Sequence, residues 1–219
     1  MSTMETPIRD ALADLRQGKP VLVYDAGDRE QETDILYAGD SVTHRDVAFL
    51  RNAAGGLVCV AISADTAKAF SLPFLQEVID HPTSRYEELS YDDRSSFSIP
   101  VNHRSTDTGV TDRDRAYTIR RLAAAAGNHS EFDFDSEFRT PGHVNVLRAH
   151  EDLLSGRVGH TELGIALAEE AGATPAVVVC EMLEDTTGEA VPRERAGQFA
   201  RDRDLTFLEG STIVENLVQ

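Results

Sequence analysis

The chain has 219 residues, 41% of them hydrophobic, which is enough to build a sizeable core in one large domain or two small ones. Its formal net charge of −17 argues against a nucleic-acid or anionic-membrane partner, which would need a basic face, and any anionic ligand must be held by local arginines or by metal. No window approaches the roughly 18 to 20 apolar residues of a membrane span, and "MSTMETPIRD" lacks the basic and apolar regions of a secretory leader, so a soluble cytoplasmic protein is expected.

In chain order, "TPIRDALADLRQG" predicts a helix with Thr6 as N-cap and Pro7 at its first position, burying Ile8, Leu12 and Leu15 and stopping at Gly18. The apolar run "PVLVY" follows as a strand. Behind it, "YDAGDREQETDILYAGD" packs six carboxylates around Arg29. "THRDVAFLRNAAGG" predicts a helix from Thr43, "LVCVAI" a strand and "SADTAKAFSL" a short helix. The polar stretch from Gln76 to Ser96 is too long for an ordinary connection and reads as an insertion or a mobile loop near the site. "TDRDRAYTIRRLAAAAG" is a helix with a Thr111 and Asp114 capping pair. After "HVNVLRA" come "HTELGIALAEEAG" as helix, "AVVVCEML" as strand, "RERAGQFARDRD" as helix and "LTFLEG" as strand. This alternation predicts a single domain of mixed α and β structure. Cys59 and Cys180 sit in apolar strand-like runs and are expected as buried free thiols.

The segments that carry chemistry start with Arg29, Glu30, Glu32 and Asp34, where alternation along an extended chain places the three carboxylates on one side. Oxygen ligands of this kind suit a hard cation such as Mg²⁺ or Mn²⁺; a solvated acidic loop is the alternative. In "RTPGHVNVLRA", Pro141 and Gly142 place His143 at the mouth of a strand, as a structural residue or a catalyst. In "SGRVGHTELGIALAEEAG", Arg157, Gly159, His160 and Thr161 gather at a helix start, where free N–H groups, a hydroxyl and a guanidinium make an anion site. His160 could also give a nitrogen to the same metal. Glu181 ends a buried run, where desolvation would raise its pKa and suit it to proton transfer. Thr108, Gly109 and Thr111 precede a helix and could bind an anion, or Thr111 simply caps it.

Together these residues resemble the 3,4-dihydroxy-2-butanone 4-phosphate synthase family over nearly the whole chain. The resemblance rests on "DREQETD", "LVCV", "DTGVTDRDRA", "RTPGHVNVLRA", "GRVGHTE" and "VVVCEML" in that order. It implies a three-layer α+β fold with a mixed sheet flanked by helices, filling residues 1–219 as one synthase domain. It further implies conversion of D-ribulose 5-phosphate to L-3,4-dihydroxy-2-butanone 4-phosphate and formate, a carbon–carbon lyase reaction of riboflavin biosynthesis. By the resemblance, Glu30 and His160 are metal ligands, Arg29 and Asp34 contact the sugar, and Arg157 and Thr161 contact its phosphate. Thr108, Val158, Gly159, Glu30, His160 and Glu181 complete the substrate contacts. His143 and Glu181 are catalytic, and the base is Asp34, Glu32 or Glu181. A homodimer with the site between subunits is also implied; with no second catalytic domain read after Glu181, a stand-alone form without a fused cyclohydrolase is expected.

Thr33 departs from the family pattern, which has glycine between the glutamate and the aspartate, and a β-branched residue does not readily take the positive φ that glycine permits, so the resemblance leaves the path of the acidic loop open. The Gln76 to Ser96 stretch is also longer than the compact family form. A non-catalytic anion-binding domain and a Mg²⁺-dependent phosphosugar phosphatase or isomerase are the competing readings. The abundance of acidic residues, with lysine only at Lys19 and Lys68, matches a protein of concentrated salt, where the Debye length falls to about 3 Å at 1 M.

Overall fold

The computed structural model describes residues 4–25, 29–84 and 94–218. Among them, in chain order, lie α1 (Thr6–Arg16), β1 (Val21–Tyr24), β2 (Thr33–Ala38), α2 (His44–Ala53), β3 (Cys59–Ile62), α3 (Ala64–Ala69), α4 (Leu75–Val78) and β4 (Val101–His103). They continue with α5 (Asp112–Gly127), α6 (Phe134–Glu137), β5 (Phe138–Arg148), α7 (His160–Ala171), β6 (Ala176–Glu181), α8 (Arg193–Asp202), β7 (Thr206–Glu209) and α9 (Gly210–Leu217). The strands form one seven-stranded sheet in the order β4-β5-β3-β6-β2-β1-β7. It is mixed: β1 runs parallel to β7 and β3 to β5, and the other pairs are antiparallel.

The central strands β2, β3 and β6 are almost wholly buried, so their sequences read as continuous apolar runs with helices covering both faces. One face packs Val47 and Leu50 of α2, Ile119 and Leu122 of α5 and Ala196 of α8. The other packs Ile8 and Leu12 of α1, Leu163 and Leu167 of α7 and Ile213 of α9. The expected three-layer α+β architecture is therefore present. Each fully buried Leu or Ile stabilises it by about 1.5–3 kcal/mol relative to exposure. No helix of the described residues is long and apolar enough to cross a membrane.

Local signals behave mostly as read. Thr43 closes a capping box with Asp46, and the Thr111 hydroxyl accepts the Asp114 N–H at 3.1 Å. Asp114 itself reaches back to the Gly109 N–H, 3.0 Å away. The first helix is capped at Glu5, one residue before the expected Thr6. The long polar stretch forms α4 and a short 3₁₀ turn at Pro82–Ser84, and its residues 85–93 lie outside those described. Cys59 and Cys180 are buried and free.

Candidate active site

The end of the sheet where β1, β2 and β6 meet collects the acidic residues. Asp25, 1% exposed, follows β1, and its carboxylate accepts the N–H groups of Glu30 at 3.1 Å and Glu32 at 3.0 Å. Its own N–H donates to the Glu32 carbonyl at 3.1 Å. Gln31 takes a φ of 61°, so Glu30 sits on a turn and not on an extended chain as the alternation implied. Glu30, Glu32 and Asp34 nevertheless line one cavity of about 320 Å³, with Glu181 beside Asp34 across the β2–β6 ladder. Thr33 is an ordinary buried strand residue whose carbonyl accepts the Met182 N–H at 2.9 Å. Among the described residues of this loop the left-handed position falls at Gln31, and Thr33 sits in regular strand, so position 33 needs no glycine.

The carboxylates crowd each other electrostatically. Burial, and then a hydrogen bond with Glu181, push the Glu32 carboxyl up to about 8. Burial raises Asp34 to about 6, against the pull of His160. Glu30 is also raised, chiefly by burial, with His160 opposing. His160, 8% exposed, opens α7, and its Nε2 lies 3.1 Å from the Val23 carbonyl. A carbonyl only accepts, so the proton sits on Nε2 and Nδ1 keeps its lone pair when the ring is neutral. That lone pair faces Asp34 Oδ1 at 3.6 Å. Two acceptors turned towards each other need a cation or a shared proton between them.

A ligating atom each from Asp25, Glu30 and His160 lie within 4.8 Å of one another. Two carboxylates and one imidazole match a hard divalent ion that completes its shell with water or substrate oxygens. Asp25 is the site residue that sequence reasoning missed. Its signal was a single acid directly after the buried run "PVLVY".

The basic side of the site adjoins this cluster. Arg157 and Thr161 line the carboxylate cavity, and Arg29, Arg157 and Val158 line a neighbouring one of about 880 Å³. Gly159 caps α7, where a Cβ would stand 2.5 Å from Arg157 Nη1, so only glycine lets the guanidinium lie against the helix start.

His143 and Thr108 are not in either cavity. His143 does not open its strand, since β5 already runs from Phe138. It is exposed, its Nδ1 lies 3.1 Å from Asn102 Nδ2, and Asn102 Nδ2 donates to the Thr108 carbonyl at 3.4 Å. Cys59 pairs with both Val179 and Asn145, and extending that register by two residues sets Glu181 and His143 at the same end of the sheet. They stand two strands apart, about 10 Å by the usual strand spacing.

Fold and site together define an α+β protein with a candidate divalent-cation site at one end of its sheet. The family model of 3,4-dihydroxy-2-butanone 4-phosphate synthase matches residues 9–216. The chain belongs to this family of riboflavin biosynthesis. It is 45% identical to the synthase of Methanosarcina acetivorans, covering 95% of this chain and 90% of that one. The Candida albicans synthase structure superposes with a TM-score of 0.81 at 30% identity, covering 99% of this chain and 100% of the other. A synthase solved in complex with two magnesium ions gives a TM-score of 0.77 at 29% identity, covering 95% and 94%.

Proposed function

We propose that the chain, as one domain over residues 1–219, converts D-ribulose 5-phosphate to L-3,4-dihydroxy-2-butanone 4-phosphate and formate. The reaction is a carbon–carbon lyase step, run in the cytoplasm with Mg²⁺ or Mn²⁺. The observation that carries this reading is one cavity lined both by Glu30 and His160, two of the three grouped metal-ligand candidates, with Asp34 beside them, and by Arg157 and Thr161, so that groups suited to a cation and to a phosphate face the same space. The magnesium-bound relative supports the choice of ion.

Glu30 and His160, with Asp25, would hold the metal. When bound, it stabilises negative charge that develops on the sugar oxygens. Arg29 and Asp34 orient the sugar, and the guanidinium of Arg157, the hydroxyl of Thr161 and the N–H of Val158 receive the phosphate, while the Gly159 N–H is taken by Glu162. Proton removal beside the carbonyl requires a carboxylate that is ionised near neutral pH. Asp34, raised to about 6, meets that need, whereas Glu32, raised to about 8 beside Glu181, keeps its proton and supplies the acid.

Within one chain His143 lines neither cavity and stands two strands from Glu181. A homodimer in which His143 and Thr108 of one copy complete the cavity of the other accounts for that separation. The test is subunit complementation. His143→Ala and Glu30→Gln proteins, each inactive alone, are mixed and re-associated; one intact site in each mixed dimer would restore about a quarter of wild-type activity. No recovery, with mixed dimers shown to form, would place His143 in the cavity of its own chain or outside the chemistry.

A further inference from the structure

Glu162 lies in the first turn of α7 with 0% exposure, a costly place for a carboxylate unless every oxygen is satisfied. Its Oε1 accepts the His150 N–H at 2.9 Å. Its Oε2 accepts Arg157 Nη1 at 2.7 Å and the Gly159 N–H at 3.3 Å. Capping α7 needs only the last of these bonds. The other two tie the helix start to the end of the β5 segment and fix one edge of the Arg157 guanidinium. Gly159 completes the arrangement, because its missing Cβ is what lets Arg157 approach.

We propose that Glu162 is a positioning residue that holds the Arg157 guanidinium aimed into the cavity, so that phosphate meets an arginine already oriented. A long flexible arginine loses side-chain freedom when it binds an anion, and a buried carboxylate that restrains it beforehand removes that loss from the binding step. Glu162 is fully buried behind Arg157, with both carboxylate oxygens already taken by protein donors. It acts through Arg157, and this inference therefore rests on the reading of Arg157 as a phosphate contact.

The test compares wild type, Glu162→Gln, Arg157→Ala and the double variant, with inorganic phosphate as probe and calorimetry as readout. Glutamine keeps an acceptor oxygen and the side-chain volume but loses the charge, so the fold should survive. Glu162→Gln should weaken phosphate about tenfold, the order expected when a charge-assisted hydrogen bond is lost, with Mg²⁺ affinity unchanged. In the Arg157→Ala background the same change should add almost nothing. A full additional loss in that background, or a parallel loss of Mg²⁺ affinity, overturns the proposal, since Glu162 would then act on the helix start as a whole. NMR relaxation of the Arg157 Nε–H group separates the two ideas. If Arg157 proves not to bind phosphate, Glu162→Gln must still loosen that group, and an unchanged order parameter overturns the positioning role outright.

Discussion

Glu32, Asp34 and Glu30 share one small cavity, and their protonation makes metal binding depend on pH. A carboxyl whose folded pKa is raised holds more protons folded than unfolded, so its contribution to stability is full below the ordinary 4.5 of a glutamate and is lost as pH rises through about 8 for Glu32. The divalent ion relieves that repulsion only once protons leave. The rise in melting temperature on adding Mg²⁺ should therefore be larger at pH 8 than at pH 6; an equal or smaller rise would show that these groups do not face the ion. His143→Ala and Glu181→Gln should each lower kcat by about 10² or more, the scale of acid or base loss, with the melting temperature little changed. Near wild-type kcat in either would return that residue to a structural role. At this scale the sequence was legible where a residue type has one use, as with the arginine, hydroxyl and imidazole of "GRVGHT". Asp25 was not legible, because an acid after a strand is ordinary and only the folded turn shows its oxygens drawing in the Glu30 and Glu32 amides.

Helix α7 brings the anion and cation sides of the site together. Its cap Gly159 admits Arg157, its first residue His160 reaches the Val23 carbonyl, and Thr161 and Glu162 follow within the same turn. Gly159→Ala would place a Cβ 2.5 Å from the guanidinium and force it aside, so KM for ribulose 5-phosphate should rise several-fold more than kcat falls. An unchanged KM would show that the guanidinium can shift at no cost. The helices and buried strands were readable because caps and apolar periodicity are local: Thr43, Thr111 and the run "AVVVCE" each specify their element alone. What stayed hidden depends on distant partners. The strand β5 begins at Phe138 because Asn102 and His103 pair with Arg139 and Phe138, and the four residues 140–143 are set out of register between Arg139 and Val144. Helix α9 was missed because "GSTIVENL" is held mainly by packing Ile213 against the sheet.

For the molecule as a whole, negative charge predominates, with a formal net of −17. Arg29 and Arg157 line the larger cavity, so under the proposed function a phosphate would be held by a few local guanidinium groups against the field of the net negative charge. Screening that field should stabilise the fold. The melting temperature is expected to climb between 0.1 M and 2 M KCl, where the Debye length shrinks from about 10 Å to below about 3 Å. A flat or falling profile would mean that the acidic surface carries no net repulsion. The central claim is that the shared cavity holds a divalent ion and a sugar phosphate together for carbon–carbon cleavage. It is tested most directly by incubating the purified protein with ribulose 5-phosphate and Mg²⁺ and measuring formate and inorganic phosphate. Formate appearing in step with a four-carbon phosphate, abolished by EDTA and restored by Mg²⁺ or Mn²⁺, is the result predicted; release of inorganic phosphate without formate, or full activity in chelator, would contradict it.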